Sequence, residues 1–263
     1  MPASLYRRLV CACTLLLAMT PAGLPQTDGH RSPASAFPSQ ERISYSIEWR
    51  LIYAGNATWT LDPKKQGDKP GWESKLHLES AGLVSRLYKL EDNYSLQMLD
   101  PFCALSTDFD SKERSRHRQT TVTYDHSRGK ARYTERDMLK NAVSKTAEVD
   151  IPGCVGDIIG SLYKLRTIKL APGQSTQLTI SDGKKTVSAR VEAQAKEQLK
   201  IKAGTFNTIR YEAFVFNGVL YSRKAQLLIW LADDDRRTPV QIRARMAFPI
   251  GSITFEMDKE QHS

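Results

Sequence analysis

The stretch ISYSIEW, residues 43 to 49, alternates apolar and polar side chains along its whole length. In an extended chain Ile43, Tyr45, Ile47 and Trp49 lie on one face, and the serines and Glu48 lie on the other. This period of two is typical of a β-strand with one buried face. NATWTL (56–61) and WESKLHLES (72–80) repeat it, so the pattern predicts an antiparallel β protein.

Two later stretches extend this prediction. LLIWLA (227–232) is apolar without alternation, which favours a strand buried on both faces and places Trp230 at the centre of the sheet. In TFNTIRYEAFVFNGVLY (205–221), Asn217-Gly218 separates two apolar arms. That dipeptide supplies the positive-φ pair of a type I′ turn, so a tight hairpin is predicted there.

Three consecutive aspartates, Asp233 to Asp235, separate LLIWLA from the alternating stretch PVQIRARMAF, which begins at Pro239. One interpretation is a turn, because Asp side chains bond to the backbone two residues on. The other is a calcium site, which needs six to eight oxygens from a spaced loop with Gly and a later Glu. Consecutive acids cannot all point one way, so the turn is favoured.

One segment has a helical period. In GDIIGSLYKLRT (156–167), Ile158, Leu162 and Leu165 recur at the spacing of one helix face, and Asp157 is placed to cap its start. The predicted fold is therefore all-β and mainly antiparallel: a large twisted sheet, an incomplete barrel or a sandwich, with one short helix.

The N-terminus predicts export. Arg7 and Arg8 precede an apolar run of 11 residues, Leu9 to Met19, and small residues follow. This is typical of a secretory signal peptide, since a membrane span needs roughly 20 apolar residues. We predict a signal peptide at 1–22, a flexible leader at 23–40, a folded β domain at 41–258 and a tail at 259–263. The mature chain would be periplasmic or secreted, would carry a net charge of +7 instead of +9, and would contain no membrane span.

Removal of the signal peptide leaves Cys103 and Cys154. Both lie beside predicted turns, and an oxidising compartment permits a disulfide. We predict that they pair; the alternative is two free thiols, one or both buried.

Four stretches together resemble the DUF3108 family of bacterial exported proteins of unknown function. They are ISYSIEWRLIYAGNATW, CVGDIIGSLYKLRT, KAGTFNTIRYE and LLIWLADDDRRTPVQIR, in that order across residues 41–258. The matching motif residues are Gly55, Asp157, Tyr163, Arg166, Gly204, Phe206, Trp230, Asp235 and Pro239. The resemblance implies an exported, β-rich protein, and it brings no catalytic residues.

The chemical motifs that would indicate an enzyme are missing from the sequence. It contains no H-E-x-x-H, G-x-S-x-G or G-x-G-x-x-G, and its five histidines are scattered, so no metal or cofactor is predicted. The basic run SKERSRHRQ (111–119) could suggest nucleic acid, but export argues against that partner. A charged strand edge, or contact with anionic lipid or envelope polysaccharide, fits better.

Two functional hypotheses follow. The first is a non-enzymatic envelope protein, either a scaffold or a carrier whose sheet cups an apolar or lipid-like ligand. The second is an unrecognised hydrolase of envelope polymer that uses Asp157 or Asp233 to Asp235. An apolar cavity would favour the carrier and a polar cleft with two acids the hydrolase, although the many bulky aromatics favour a filled interior. The sequence leaves the oligomeric state open.

Overall fold

The computed structural model describes residues 40–262. The predicted signal peptide, and the predicted leader up to residue 39, lie outside this range. Within it, no helix is long and apolar enough to cross a membrane.

Fourteen strands and two helices make up this part of the chain. In chain order they are β1 (Glu41–Trp49), β2 (Ile52–Pro63), β3 (Gly71–Ser80), α1 (Gly82–Leu87), β4 (Leu90–Leu99), β5 (Cys103–Glu113), β6 (Arg116–Asp125), β7 (Lys130–Asp137), β8 (Ala142–Asp150), α2 (Ile158–Arg166), β9 (Ser175–Ser181), β10 (Thr186–Ile201), β11 (Gly204–Ala213), β12 (Ala225–Ala232), β13 (Pro239–Met246) and β14 (Ser252–His262).

All the strands belong to one antiparallel sheet, in the order β8-β7-β6-β5-β4-β3-β2-β1-β14-β13-β12-β11-β10-β9. This confirms the predicted fold class. The first strand lies near the middle because Glu41 to Trp49 pairs with β2 on one side and with β14, from the far end of the chain, on the other.

The sheet is not closed into a barrel by strand pairing, but a connecting segment joins two distant strands. Val155 accepts a hydrogen bond from the backbone of Ala104 in β5 (2.8 Å), and Gly156 exchanges two with Thr179 and Ser181 of β9 (3.2 and 2.9 Å). The sheet therefore curves around the helix that follows this segment, α2.

The predicted disulfide between Cys103 and Cys154 is present. It joins the first residue of β5 to the connecting segment, across a sequence separation of 51 residues. The bond therefore holds the segment beside β5, where the sheet curves back toward β9.

Three predictions about local structure are wrong. The sequence predicts a single helix, but a second helix, α1, spans six residues. It has neither a side-chain N-cap nor a buried residue that would mark it in the sequence. The predicted tail from residue 259 pairs with β1 as the end of β14. Asn217 and Gly218 do take positive φ (60° and 91°), but the apolar arms around them form an 11-residue loop between β11 and β12.

Trp230 is buried, yet β12 lies fourth from one edge of the sheet and not at its centre. Long polar side chains cover its outer face: Glu197 accepts a hydrogen bond from the indole, and the Arg243 guanidinium lies 5.3 Å from the ring centroid. The stems of such residues can bury apolar surface, so burial on both faces does not require a central strand.

Candidate functional site: the interior around helix α2

Helix α2 begins at a buried carboxylate. Asp157, 3% exposed, accepts hydrogen bonds from the backbone of Gly160 (2.7 Å), from the Thr107 hydroxyl (3.2 Å) and from the Tyr94 hydroxyl. The first bond is the N-cap that the sequence predicts. Burial raises the pKa of Asp157, and the three donors offset only part of that effect.

The last residue of α2 is held by a buried ion pair. The Arg166 guanidinium donates two hydrogen bonds to the Glu41 carboxylate, at 2.7 and 2.6 Å, and both side chains are 1% exposed. It also donates to the carbonyl of Arg236, at 3.3 and 3.1 Å. Burial alone would lower the pKa of Arg166, but the bonds and charge of Glu41 raise it overall. The pair ties the helix to β1 and to the β12–β13 turn.

Aromatic rings fill one side of the interior next to α2. The Tyr163 ring stacks on Phe102 (5.6 Å between centroids) and meets Trp59 edge-on (5.5 Å). Phe102 in turn stacks on Trp72 at 6.0 Å. These rings occupy space that a ligand could otherwise use.

The rings do not fill the whole interior, however, contrary to the expectation from their number. A partly open cavity of about 200 Å³ remains between α2 and the sheet. Its α2 wall carries Ile158, Ile159, Leu162 and Leu165. The facing wall consists of side chains from strands on both sides of β1 and includes Tyr45, Trp59, Leu76, Val191, Ala213, Leu227, Ile229 and Phe255. The surface lining the cavity is apolar throughout.

A second, polar cleft of about 400 Å³ lies on the other side of Ile158, which lines both spaces. Asp157, Tyr94 and Tyr124 line this cleft. Its charged groups are Asp92, Glu113, Glu135, Asp157 and Asp182, against Arg118 and Lys184. The cleft therefore carries more acidic than basic groups.

Asp92 is the least satisfied of these acids. Burial raises the pKa of its carboxyl, and its buried Oδ1 accepts no hydrogen bond. Neither Asp92 nor Glu41 belongs to a motif that the sequence predicts to be functional. Each occupies an apolar phase of its strand, Asp92 with Tyr94 and Leu96 and Glu41 with Ile43 and Tyr45, and a charge at such a position is a signal that could have identified them.

The motif residues do not form one cluster. Asp157, Tyr163 and Arg166 belong to α2 or cap its start. Pro239 is linked to the same region through Tyr45 in the cavity wall, whose hydroxyl donates a hydrogen bond to the Pro239 carbonyl (2.9 Å). The others lie apart: Gly55 in β2, Gly204 and Phe206 in β11, Trp230 on the outer face and Asp235 in an exposed turn.

Gly55 and Gly204 occupy positions that restrict side chains. A Cβ at Gly55 would lie 2.1 Å from the carbonyl oxygen of Glu79 on the neighbouring strand. Gly204 has a φ of 140°, which L residues rarely adopt. Steric demands of the sheet account for these two glycines.

The three aspartates form a turn, as predicted. Asp234 Oδ1 accepts from the backbone of Arg236 (3.0 Å) and Arg237 (2.9 Å), the bonding that makes Asp a turn residue. Asp233 pairs with Lys196 (2.8 Å), and Asp235 with Lys169 (3.0 Å). The three side chains therefore do not converge on a common point.

Among the described residues, one group could offer three ligands to a metal: Glu41, Glu260 and His262. Both oxygens of Glu41 already accept from Arg166, and Glu260 accepts from the Thr238 hydroxyl at 2.5 Å. A cation there would have to displace the guanidinium or lie beside its charge. The group fits a hydrogen-bonded network better than a metal site.

Comparison with known proteins gives a family and a fold. The chain matches the family model described as a protein of unknown function, DUF3108, over residues 44–258. A β-barrel-like protein of the domain of unknown function DUF1849 from Brucella abortus has a similar fold, with a TM-score of 0.55 and 9% identity over 86% of this chain and 99% of that one.

Two further solved structures align with lower scores. A protein from Bacteroides fragilis, described as exported and of YmcC-like fold, has a TM-score of 0.37 and 9% identity over 86% of this chain and 98% of its own. A protein from Parabacteroides distasonis, described as a lipoprotein, has a TM-score of 0.31 and 7% identity over 86% and 98%. No curated protein matches the chain.

Proposed function

This chain belongs to the DUF3108 family, and we propose that it is an exported, non-enzymatic protein that holds the apolar part of a lipid-like ligand beneath helix α2. The observation that carries the proposal is the apolar cavity of about 200 Å³ inside a core that is otherwise crowded with aromatic rings. The signal-peptide pattern of residues 1–22 supports a site of action outside the cytoplasm.

The size of the cavity limits what it can hold. An engineered apolar cavity of about 150 Å³ stays dry and binds benzene, whereas pockets for drug-sized ligands measure about 300–1,000 Å³. The space beneath α2 therefore suits a ring or a short stretch of an acyl chain. The rest of an amphiphile would have to lie outside the apolar part.

The polar cleft supplies a place for that remainder, because Ile158 separates it from the cavity. Its carboxylates outnumber its two basic groups, and carboxylates such as the buried Asp157 and the partly buried Asp92 would repel an anion. An amphiphile with a hydroxyl or amine head fits this cleft better than a fatty acid anion.

Matched probes test the proposal. Octanol, octylamine and octanoate have the same chain length, and Trp59 in the cavity wall can report their binding through tryptophan fluorescence. We expect octanol and octylamine to bind and octanoate to bind more weakly. Native mass spectrometry of the protein purified from its own envelope should also show a bound amphiphile.

Two variants separate cavity binding from surface adsorption. Ala213→Leu adds volume to the cavity wall and should abolish binding of all three probes, whereas Ala142→Leu, on an exposed position of β8, should leave it unchanged. A cooperative unfolding transition of each variant is required as evidence that it is folded before its binding is compared with that of the wild type. Unaltered octanol binding in Ala213→Leu would contradict the cavity as the binding site.

The polar cleft also supports the alternative function, hydrolysis of envelope polymer. Two of its carboxyls, Asp92 and Asp157, have pKa values raised by burial, the property that a general acid needs. Release of soluble fragments from isolated envelope polymer, lost in Asp92→Asn, would favour this second function. An equal lack of release by both proteins would leave only the binding function.

A further inference from the structure

The exposed large apolar side chains of the described chain share one end of the sheet. Five of them define an apolar tip: Leu51, Ile52, Leu83, Leu87 and Phe248. Tyr53 and Tyr88 lie beside them, and the remaining two, Leu139 and Val143, flank the β7–β8 turn at the same end of the strands. Within residues 40–262, the turns at the opposite end expose no large apolar side chain.

The tip is built from neighbouring connections that contact one another. The Arg50 side chain in the β1–β2 turn donates to the carbonyl of Ile250 (3.1 Å) and lies 5.8 Å from the Phe248 ring in the β13–β14 turn. The backbone of Ala81, just before α1, donates to Ala54 of β2 at 2.8 Å. Arg114 in the β5–β6 turn donates to the carbonyl of Lys89 at 2.8 Å.

The apolar residues of the tip lie at positions where the fold does not require an apolar side chain. Leu51 is 86% exposed and Phe248 89% exposed, so neither contributes to the core. Arg50 and Leu51 both have positive φ (51° and 68°), in a two-residue turn that Asn-Gly would form with less strain. Neither the core nor the turn requires an apolar side chain at Leu51, so this side chain is free to contact a surface outside the chain.

The charges around the tip are predominantly positive. Arg50, Arg86, Lys89, Arg114, Lys140, Arg223 and Lys224 lie in the connections at this end, where Asp182 is the only acid. Five strand acids adjoin these connections, namely Glu48, Glu79, Glu91, Glu113 and Asp137. Three of them are paired with basic side chains: Glu91 with Lys112 (3.2 Å), Glu113 with Arg118 (3.3 Å) and Asp137 with Lys140 (3.9 Å). The connections at the opposite end mix both signs, with Asp68, Asp100 and Asp233 to Asp235 among their lysines and arginines.

We propose that the apolar tip docks the protein onto an anionic lipid bilayer, with Leu51, Leu83, Leu87 and Phe248 entering the interface and the surrounding basic residues meeting lipid phosphates. Apolar side chains in a basic surround are the composition of interfacial membrane anchors. A second copy is a poorer occupant, because symmetric docking would bring the basic residues of one tip against those of the other. The tip shares no residue with the cavity, so this proposal does not depend on the proposed function.

Vesicle flotation of the whole chain tests the proposal, with phosphatidylcholine vesicles compared with vesicles that also contain phosphatidylglycerol. The basic variant is Arg86→Gln, Lys89→Gln, Arg114→Gln, and the matched control, Lys65→Gln, Lys69→Gln, Lys202→Gln, removes three exposed charges at the opposite end. We expect the basic variant to bind anionic vesicles at least about tenfold more weakly, and the control to change binding less than about twofold. All proteins share one N-terminus, so the differences report on the tip.

A third variant, Leu51→Ser, Leu87→Ser, Phe248→Ser, tests the apolar part. It should lose vesicle binding while keeping the wild-type unfolding midpoint, because these side chains are exposed. Equal losses in the basic and control variants, or wild-type binding by the serine variant, would overturn the proposal. If sedimentation instead shows that the serine variant dissolves a wild-type dimer that does not bind vesicles, the tip is a self-association surface and the lipid assignment is wrong.

Discussion

Replacing Arg166 by Met should destabilise the protein more than any surface change. The substitution removes four hydrogen bonds, two to Glu41 and two to the Arg236 carbonyl, and leaves a carboxylate that is 1% exposed without its counter-ion. Breaking one side of a buried pair costs about 3–5 kcal/mol. We expect a loss of that size in the free energy of unfolding, measured by urea denaturation at neutral pH with the disulfide intact.

Two comparisons isolate the cause of this loss. Lys169→Met breaks an exposed pair, 77% and 93% exposed, and should cost at most about 1 kcal/mol. The double variant Arg166→Met with Glu41→Met should recover most of the loss, since it buries no unpaired charge. A single variant that loses less than about 1 kcal/mol, or a double variant no more stable than the single, would refute the assignment of a buried ion pair.

Three further predictions concern other parts of the interior. The Cys103–Cys154 bond closes a loop with a sequence separation of 51, so its reduction should lower the free energy of unfolding by about 4 kcal/mol in urea titrations. The stability of a variant with serine at both positions should not respond to reductant. Asp92→Asn should raise stability at neutral pH, because burial raises the pKa of Asp92 in the fold and the wild-type carboxyl therefore costs stability once it ionises. The gain should shrink as pH falls from that raised pKa toward the ordinary value of 3.8 and be absent below it, and a gain independent of pH would contradict this. Gly55→Ala should lower stability by about 1–3 kcal/mol by overpacking, while Gly153→Ala, with nothing within 4 Å of its new Cβ, should be tolerated in the same denaturation assay.

Much of the local structure could be predicted because its signals lie within a few residues of each other. The alternation in ISYSIEW reports directly which side chains of β1 face the core. The start of α2 follows from Asp157 ahead of an apolar face, and the turn after β12 from three consecutive aspartates. Where the local signal was weak, as in the six-residue helix α1, the prediction failed.

The candidate site depended on contacts between residues far apart in the chain. Glu41 and Arg166 are 125 residues apart, and no spacing rule connects them. The volume of the cavity is what remains when the volume of the side chains is subtracted from the space that the sheet encloses around α2. It is small compared with either volume. The number of aromatic residues does not predict this remaining volume, because the space that each ring fills depends on its orientation in the interior.

The fold class, the helix α2, the aspartate turn and the pairing of Cys103 with Cys154 agree with predictions from the sequence, since periodicity, capping and turn chemistry act within a few residues and these are the two cysteines that lie beyond the predicted signal peptide. The order of the strands, with β1 beside β14 and Trp230 away from the centre of the sheet, emerges from tertiary packing. So do the open space beneath α2 and the clustering of the exposed large apolar side chains of residues 40–262 at one end of the sheet. Strand order and cavity volume both arise from long-range packing, which sums over many contacts that no local pattern encodes.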